Sequence, residues 1–213
     1  MSVRRITTSL AALGLAVASA LAVAPSASAH GADHGPSGTR SLAAVLAKDG
    51  SGFDRNWDDF DIVDNAVQAV LKADPKSPVA VLADGTVPLT AFLPTDRAFR
   101  RLASDLTGKT YSSESAVFTD VASLGIPTVE AVLLYHVVPG ATVTYRQALR
   151  SDGATLTTAG GGTLTVKVLS RHEVRLKDAD PDALNAKVVR PNINMGNEQI
   201  AHGVSEVLRP VDL

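Results

Sequence analysis

Cysteine is missing from this chain of 213 residues, and its absence excludes several kinds of protein. No disulfide can stabilise the fold, no thiolate can bind a metal, and no cysteine can carry a lipid anchor. Because disulfides commonly reinforce exported domains, a secreted form of this chain depends on its hydrophobic core alone.

Excess positive charge is also missing, since 20 basic residues stand against 22 acidic ones and the formal charge is −2. A balance of this sign argues against nucleic acid and anionic membrane surfaces as main partners. No apolar run after the N-terminal segment is long enough to span a bilayer, so no membrane span is expected there.

The N-terminal segment has the three parts of a secretory signal peptide. Arg4 and Arg5 give a charged start, and Leu10–Ala24 is an apolar run too short for a comfortable membrane span. Ala27-Ser28-Ala29 then supplies the small residues that a signal peptidase requires. We therefore predict a signal peptide at residues 1–29 and a secreted, extracellular protein, either free or associated with the cell wall.

Residues 30–40 are rich in Gly, Ser and Pro and are predicted to form a flexible leader. After cleavage, His30 would present a free amine and an imidazole, a pair that suits copper, and His34 could add a ligand. The simpler interpretation is that cleavage falls before an arbitrary residue, so these histidines are weak metal candidates. No cofactor is expected.

Residues 41–213 are predicted to form a single domain, with helices first and strands last, an order that indicates the α+β class. Predicted helices cover Leu42–Lys48, Ile62–Leu71 with Asp59 or Asp61 as its cap, Val117–Leu124, and a segment that starts at Pro127-Thr128. Val79–Leu82 and Val87–Leu93 flank Asp84-Gly85 and are predicted to form a hairpin. Later strands are predicted at Ala141–Val143, Ala154–Thr157, Leu164–Leu169, Glu173–Leu176, Ala186–Val189 and Ile200–Leu208.

The stretch Leu89–Phe99 organises the chain. Its first half, Leu89–Leu93, alternates as a short buried strand does, and Pro94 ends the strand because it cannot extend a central one. Thr95 or Asp96 can cap the amphipathic helix that follows, by accepting its free amide hydrogens. A strand that turns directly into a helix is therefore predicted.

This stretch resembles the first conserved motif of fasciclin-type (FAS1) domains, roughly Thr-x-Phe-x-Pro-Thr-Asn/Asp-x-Ala-Phe. The matching residues are Thr90, Phe92, Pro94, Thr95, Asp96, Ala98 and Phe99. Two later stretches fit the same family in the right order: Leu133–Gly140 resembles its Tyr-His motif through Tyr135 and His136, and Gln199–Pro210 resembles its closing motif through Ile200, His202, Val204, Val207, Leu208 and Pro210. The overall pattern resembles secreted actinobacterial, hence bacterial, fasciclin proteins.

The closing motif departs from the family in three ways, the first being that no Asn-Gly precedes the final strand. Ser205 stands where the family usually has Asp, and Gly203 occupies a position that is more often β-branched. A glycine inside a strand commonly marks a bulge or a close backbone approach, so a bend or bulge is expected in the final strand.

The resemblance implies an α+β fasciclin (FAS1) fold, a wedge-like β-sandwich with several packed helices. It also implies adhesion or binding rather than catalysis, with an extracellular, matrix or cell-wall protein or glycan as partner. An alternative of a different class is a small-molecule or lipid carrier that uses a cavity between the helices and the sheet.

Candidate chemistry in the sequence is incomplete. Ser205 lies in half of a Gly-x-Ser-x-Gly elbow, without the second glycine or a following helix, so a hydrolase is not expected. Asp54, Asn56 and Asp58 have the spacing of a calcium loop, but Asp59 and Asn65 stand where an EF-hand needs Gly and Glu. These acidic residues are predicted to form a solvated loop and a helix N-terminus.

The Tyr-His motif is predicted to serve the fold. Tyr135 and His136 stand between apolar neighbours, which favours a buried imidazole that is hydrogen-bonded to the backbone. Leu133 shares a helix face with Val129 and Val132 and is predicted to be buried with them.

Overall fold

The structure is a computed structural model that describes residues 38–48, 50 and 52–211. The signal-peptide prediction for residues 1–29 lies outside these residues, as do His30, His34 and most of the predicted leader. The structure does describe the last residues of that leader, 38–40, and they form hydrogen bonds with a turn in the C-terminal part of the chain. Gly38 N–H donates to Gly196 C=O at 2.9 Å, and Arg40 N–H donates to Asn197 Oδ1 at 3.0 Å.

Helices dominate the first half of the described chain. They are α1 (Leu42–Leu46), α2 (Asp61–Ala73), a 3₁₀ helix (Pro78–Ala83), α3 (Asp96–Thr107), α4 (Glu114–Ala122), α5 (Ile126–Tyr135) and the short α6 (Tyr145–Ala148). Among the described residues no single helix has the length and apolarity to cross a bilayer. Helices α4 and α5 have that length and apolarity only when counted as one segment, and the chain bends by 107° between them.

The strands are β1 (Leu89–Pro94), β2 (Val137–Pro139), β3 (Thr155–Thr157), β4 (Thr163–Ser170), β5 (Glu173–Lys177), β6 (Ala186–Ile193) and β7 (Gln199–Val204). They form one mixed sheet of seven strands in the order β2-β1-β7-β6-β5-β4-β3. The sheet curves until its two ends nearly meet, and Ala159 N–H, just after β3, donates to Val137 C=O of β2 at 2.7 Å. The predicted α+β class is thereby confirmed.

The predicted strand-to-helix stretch lies at the centre of this fold. Every residue of β1 is buried, and β1 pairs in parallel with β7 on one side and antiparallel with β2 on the other. Thr95 caps α3, since its hydroxyl accepts a hydrogen bond from Ala98 N–H at 3.3 Å. The sequence left Thr95 and Asp96 as alternative caps, and the structure assigns this cap to Thr95.

Two hydrophobic cores lie on opposite sides of the sheet. The outer core joins α2, α3, α4 and α5 to one face of the sheet and includes Ile62, Phe99 and Leu133. The inner core fills the curve of the sheet and includes Phe92 and Tyr135. Leu133 is only 7% exposed, which confirms its predicted burial.

The predicted hairpin around Asp84-Gly85 is wrong. Val79–Leu82 lies in the 3₁₀ helix instead, because Ser77 caps that helix through its side chain and Pro78 occupies its first position. Gly85 serves a close approach of the chain, since a Cβ there would lie 1.8 Å from Thr39 C=O.

The predicted strand at Ala141–Val143 is also wrong. This segment is held by a side chain instead of a strand ladder: the Thr90 hydroxyl donates to Ala141 C=O at 2.7 Å and accepts from Val143 N–H at 2.9 Å. Helix α6 follows, and it begins with a capping box between Thr144 and Gln147, which is a local sequence signal for a helix start.

The final strand is shorter than predicted and ends at Val204. The expected irregularity lies at Gly203, but the extra residues belong to β6: Val188 faces Val204, Arg190 faces Gly203, and Ile193 faces Ala201. Glycine is required at 203, because a Cβ there would lie 2.9 Å from Phe60 Cζ and from Arg190 Cβ.

Two corrections concern the α2 N-terminus. Neither Asp59 nor Asp61 caps this helix, because Phe60 occupies the cap position and makes no side-chain cap bond. Asp96, at the start of α3 and distant in sequence, caps α2 instead. Its two carboxylate oxygens accept hydrogen bonds from Asp61 N–H at 3.1 Å and Ile62 N–H at 2.8 Å. A helix N-terminus favours a carboxylate from any part of the chain that reaches it.

Candidate functional site

The Tyr-His motif lies at the junction between α5 and β2, and both side chains point into the protein. Tyr135 is 1% exposed, and its hydroxyl donates to Thr163 C=O of β4 at 2.9 Å. The glycine turn before β4 packs closely against this ring, and only a glycine fits at 162 because a Cβ there would lie 2.6 Å from Tyr135 Cε2. Tyr135 therefore joins α5 to β4, the strand next to the far edge of the curved sheet.

His136 joins α5 to the chain that follows β7. Its Nε2 accepts a hydrogen bond from Leu208 N–H at 2.9 Å. Because a backbone amide can only donate, Nε2 has no proton, and Nδ1 donates to Val132 C=O at 2.7 Å. Burial lowers the pKa of His136 to about 4, so the ring is neutral at pH 7. The predicted buried imidazole with backbone partners is found.

His202 of β7 has the opposite tautomer. Its Nδ1 accepts from Asn192 N–H at 3.2 Å, so Nε2 is the donor to Val143 C=O at 2.8 Å. Burial again lowers the pKa of the imidazole. His202 also stacks on Phe92 with ring centroids 6.0 Å apart. Both motif histidines are therefore neutral bridges between backbone groups.

The other family-motif residues are placed by the sheet and its two cores. Phe92, Val204 and Leu208 lie in the inner core, and Phe99 and Val207 lie in the outer core. Ile200 is 1% exposed within β7, Pro94 ends β1, and Pro210 follows the last buried residues at intermediate exposure. The structure brings the first and last motifs together through the parallel pairing of β1 and β7.

A cluster of buried carboxyl groups surrounds Asp96. Carboxylate oxygens of Asp59, Asp96 and Glu114 lie within 4.8 Å of one another, and the three residues are 5%, 0% and 0% exposed. Burial, followed by the hydrogen bond that the protonated Asp96 carboxyl donates to Asp59, raises the pKa of Asp96 to about 9. Burial likewise raises the pKa of Glu114. We call Asp59, Asp96 and Glu114 the carboxylate cluster.

Hydrogen bonds satisfy only part of this cluster. One oxygen of Glu114 accepts from Asp54 N–H at 2.7 Å. Within the described part of the chain, Asp59 Oδ1 and Glu114 Oε1 have no hydrogen-bond partner although both atoms are buried. No lysine or arginine of that part forms an ion pair with any of the three carboxyl groups.

The surface beside α3 has two adjoining concavities of about 520 and about 560 Å³ that share Arg101. We call them together the outer groove; its lining includes Arg97, Arg100, Arg101, Leu184, Val189, Arg190 and Arg209. Leu184 is 72% exposed and Val189 is 45% exposed. Arg100 lies over Trp57 at 4.3 Å and Arg190 over Phe60 at 5.3 Å, which holds both guanidinium groups in place.

Acidic side chains neutralise part of the positive charge of the outer groove. Arg97 pairs with Asp58 at 2.9 Å, and Arg209 pairs with Asp180 at 3.1 Å and with Asp105 at 2.6 Å. The groove is therefore rich in arginine without being strongly cationic, a composition common in protein interfaces.

The enclosed cavities are small. One of about 30 Å³ lies between α2, α3 and α5, and another of about 80 Å³ lies inside the curved sheet next to His202. Sites for drug-sized ligands are usually roughly 300–1,000 Å³. Neither cavity accommodates a lipid without rearrangement of the core.

The serine of the incomplete elbow is part of the sheet. Ser205 Oγ accepts from Lys187 N–H at 3.0 Å, and Ser205 N–H donates to Lys187 C=O at 2.9 Å. Its neighbour Glu206 pairs with Arg101. Asp54, Asn56 and Asp58, which have the spacing of an EF-hand loop, lie in a loop as predicted. Asn56 and Asp58 line the outer groove.

Sequence reasoning missed two buried polar sites. Gln199, which is 0% exposed, accepts from Leu42 N–H at 2.8 Å and donates to Val81 C=O at 2.7 Å. It also missed the carboxylate cluster, whose members come from the loop before α2 and the first turns of α3 and α4. No short motif joins them, so only the fold shows that they meet.

Comparison with known proteins identifies the class that this fold defines. The Fasciclin domain profile matches residues 63–210, more than half of the chain, and the chain therefore belongs to the fasciclin-domain family. Fasciclin domains are associated with adhesion and binding and are typically extracellular or secreted. The predicted fasciclin family and its α+β fold are confirmed.

Among solved structures, the chain is similar to the FAS1 domain pair of the insect cell adhesion molecule Fasciclin I, with 14% identity and a TM-score of 0.42. The match covers 68% of this chain and 46% of the insect chain, so it spans less than half of that protein. No curated protein matches the chain.

Proposed function

We propose that this protein is a secreted, non-catalytic adhesion module that binds an extracellular protein through its outer groove. The observation that carries the proposal is the contrast between the buried family motifs and the open groove. Tyr135, His136 and His202 use their polar atoms on internal backbone groups. A partner therefore meets the exposed surface, where the groove presents arginines and apolar side chains.

The state of the catalytic candidates supports a non-catalytic role. A nucleophilic serine needs an activating base and a free lone pair, and Ser205 Oγ accepts a hydrogen bond from Lys187 N–H of β6. His136 and His202 are buried and have both ring nitrogens bonded to backbone groups. Neither imidazole is available to take a proton from a substrate in this arrangement.

The composition of the groove favours a protein over a glycan as partner. Arginine is enriched at the energetic centres of protein interfaces, and exposed Leu184 and Val189 add apolar area next to it. Sugar rings are usually held by open aromatic faces, whereas Arg100 covers Trp57, the single tryptophan of the chain. Matrix and cell-wall proteins are the partner class that we propose.

The test compares retention of labelled protein on the surface of the producing cells. The variant Arg100→Glu/Leu184→Asp reverses the charge and polarity of the groove, and Arg171→Glu, in the turn between β4 and β5, is the matched control. We expect the groove variant to lose at least about tenfold in binding, the effect of one interface hot spot. The control should bind like the wild type.

Treatment of the cell surface identifies the partner class. Protease digestion before the assay should abolish retention, and periodate oxidation of glycans should leave it intact. Equal binding by the groove variant and the wild type would remove the groove from the proposal. Loss of retention after periodate alone would replace the protein partner with a glycan.

The two cavities between the helices and the sheet do not favour the carrier alternative. It requires a ligand-sized cavity at that place, and these two measure about 30 and about 80 Å³. Mass spectrometry of an organic extract of the purified protein should accordingly detect no stoichiometric lipid.

A further inference from the structure

We propose that Asp59, Asp96 and Glu114 form an internal calcium site next to the loop at residues 52–60. This site is separate from the outer groove and does not depend on the proposed adhesion function. It differs from the EF-hand pattern that the sequence excluded, because its three carboxyl groups come from three distant parts of the chain.

The spacing of the carboxylate oxygens suits a calcium ion. Oxygen ligands lie about 2.3–2.6 Å from Ca²⁺, so two ligands on opposite sides of the ion are about 4.6–5.2 Å apart. One carboxylate oxygen from each of Asp59, Asp96 and Glu114 lies within 4.8 Å of the other two. An ion can therefore contact all three without separation of the helices that carry them.

The unsatisfied atoms are the second and independent indication of a ligand. Asp59 Oδ1 and Glu114 Oε1 are buried and have no hydrogen-bond partner among the described residues, although their residues are at most 5% exposed. Buried carboxylate oxygens without a donor are costly, and proteins usually pair such groups or use them to bind metals. A divalent cation would compensate both atoms at once.

Neighbouring groups fit the same interpretation. Asp54 and Asp61 form a second group with Asp59 in which carboxylate oxygens again lie within 4.8 Å. Asp54 is exposed, so this second group connects the buried cluster with solvent and provides a route of entry. No arginine or lysine of the described chain pairs with the cluster, so no basic side chain competes with a cation there.

Calcium fits better than magnesium. Mg²⁺ demands near-ideal octahedral geometry at about 2.0–2.1 Å and usually keeps several of its waters. Asp96 and Glu114 are both 0% exposed, which leaves a hydrated ion little access to them. Ca²⁺ accepts irregular sets of carboxylate and backbone oxygens and therefore suits ligands that were not arranged as an octahedron.

The competing arrangement is a set of carboxyl groups that share protons and bind no metal. The two arrangements differ in their response to CaCl₂. In the experiment, the protein is first treated with EDTA and exchanged into buffer at pH 7. Its thermal unfolding is then followed at increasing concentrations of CaCl₂ and, separately, of MgCl₂.

We expect Ca²⁺ to raise the Tm by about 5–10 °C at roughly 100 times its Kd, because it binds the folded state alone. MgCl₂ should have a clearly smaller effect. Terbium(III), a common substitute for Ca²⁺, should show luminescence on excitation of Trp57, which lies two residues before Asp59. Added CaCl₂ should quench that luminescence by competition.

Variants assign the effect to the cluster. Glu114→Gln and Asp59→Asn each remove one ligand charge, and both should abolish the calcium-dependent rise in Tm and the terbium signal. Asp58→Asn is the matched control, since it removes the same charge from an exposed side chain of the same loop. This control should respond to CaCl₂ like the wild type.

Either of two results would overturn the proposal. One is an unchanged Tm and no terbium luminescence in the wild type up to about 10 mM CaCl₂, well above the weakest Kd of extracellular calcium modules. The other is a calcium response that persists in Glu114→Gln and Asp59→Asn. If either variant fails to fold, the wild-type titration and the other variant still decide.

Discussion

The Tyr-His junction and the carboxylate cluster are both polar and buried, yet they differ in how their atoms are satisfied. His136 bonds to Val132 C=O and Leu208 N–H, and each of its ring nitrogens has one partner. In the cluster, Asp59 Oδ1 and Glu114 Oε1 have none among the described residues. The polar atoms of the His136 ring are therefore fully satisfied, whereas the cluster keeps two buried oxygens without a hydrogen-bond donor among the described residues.

This difference separates groups that serve the fold from groups that serve binding. A buried polar group that is fully hydrogen-bonded stabilises one arrangement of the chain, and removal of one partner is costly. A buried charge without a partner lowers the stability of the folded state, unless a bound ion compensates it. The two regions should therefore respond to substitution with opposite signs.

Leu133, an apolar residue on the helix that leads into the Tyr-His junction, gives the largest expected change in the free energy of unfolding. Leu133→Ala should lower the free energy of unfolding by about 2–5 kcal/mol, because it removes buried contacts of α5 and leaves a cavity in the outer core. Urea denaturation measures the change through the midpoint. The exposed Leu124, 45% exposed just before α5, is the control, and Leu124→Ala should cost about 0.5 kcal/mol or less. Equal midpoints for the two variants would show that the packing of α5 is misassigned.

The pH dependence of stability tests the neutral state of His136. Its folded pKa is about 4 against an ordinary value of 6.5. The unfolded chain therefore binds this proton first as the pH falls, so stability is complete above pH 6.5 and is lost progressively down to about pH 4. A shift of this size corresponds to about 3 kcal/mol.

The control for this prediction is the variant His136→Gln, measured over the same pH range. It should show a flatter decline, and the difference between the two proteins isolates His136 from other titrating groups. His202, with a lowered pKa of the same cause, should supply part of the decline that remains. If both proteins lose stability in parallel, His136 is not neutral and buried as the structure shows it.

Removal of the His136 ring should be costly without a specific loss of adhesion. His136→Ala leaves Leu208 N–H without its buried acceptor, which should cost about 1–3 kcal/mol. Retention on cells should fall only as far as the folded fraction falls. Val129→Ala, in the same helix and 8% exposed, is the control of similar expected stability. Lost retention by His136→Ala at equal folded fraction would make His136 a contact residue.

Much of the fold follows from the sequence because its signals are local. β1, Pro94 and the Thr95 cap are contiguous, and alternation and capping chemistry suffice to predict them. The hairpin prediction at 79–93 failed because Asp84-Gly85 was assigned to a turn between strands. Gly85 is there to admit the backbone of Thr39, a contact between distant parts of the chain.

The candidate sites divide in the same way. The buried His136 was predictable from its apolar neighbours, although its partner Leu208 was not. The carboxylate cluster could not be predicted, because Asp59, Asp96 and Glu114 meet only when α2, α3 and α4 are packed together. The sequence predicts either Thr95 or Asp96 as the cap of α3, whereas Asp96 caps α2 and belongs to the cluster.

The smallest predicted effect concerns the cluster and has the opposite sign from the others. In EDTA at pH 7, Glu114→Gln should leave stability unchanged or raise it by about 1 kcal/mol, because it removes a buried charge with one unsatisfied oxygen. The amide oxygen can still accept from Asp54 N–H, the bond that Glu114 makes now. The raised pKa of Glu114 agrees in sign, since folding favours its neutral form and stability falls as the pH rises through that pKa.

Urea denaturation of the variant and the wild type, with Asp58→Asn as the control, measures the difference. A loss of more than about 2 kcal/mol in EDTA would show that Glu114 is satisfied like His136, and the contrast between the two regions would not hold.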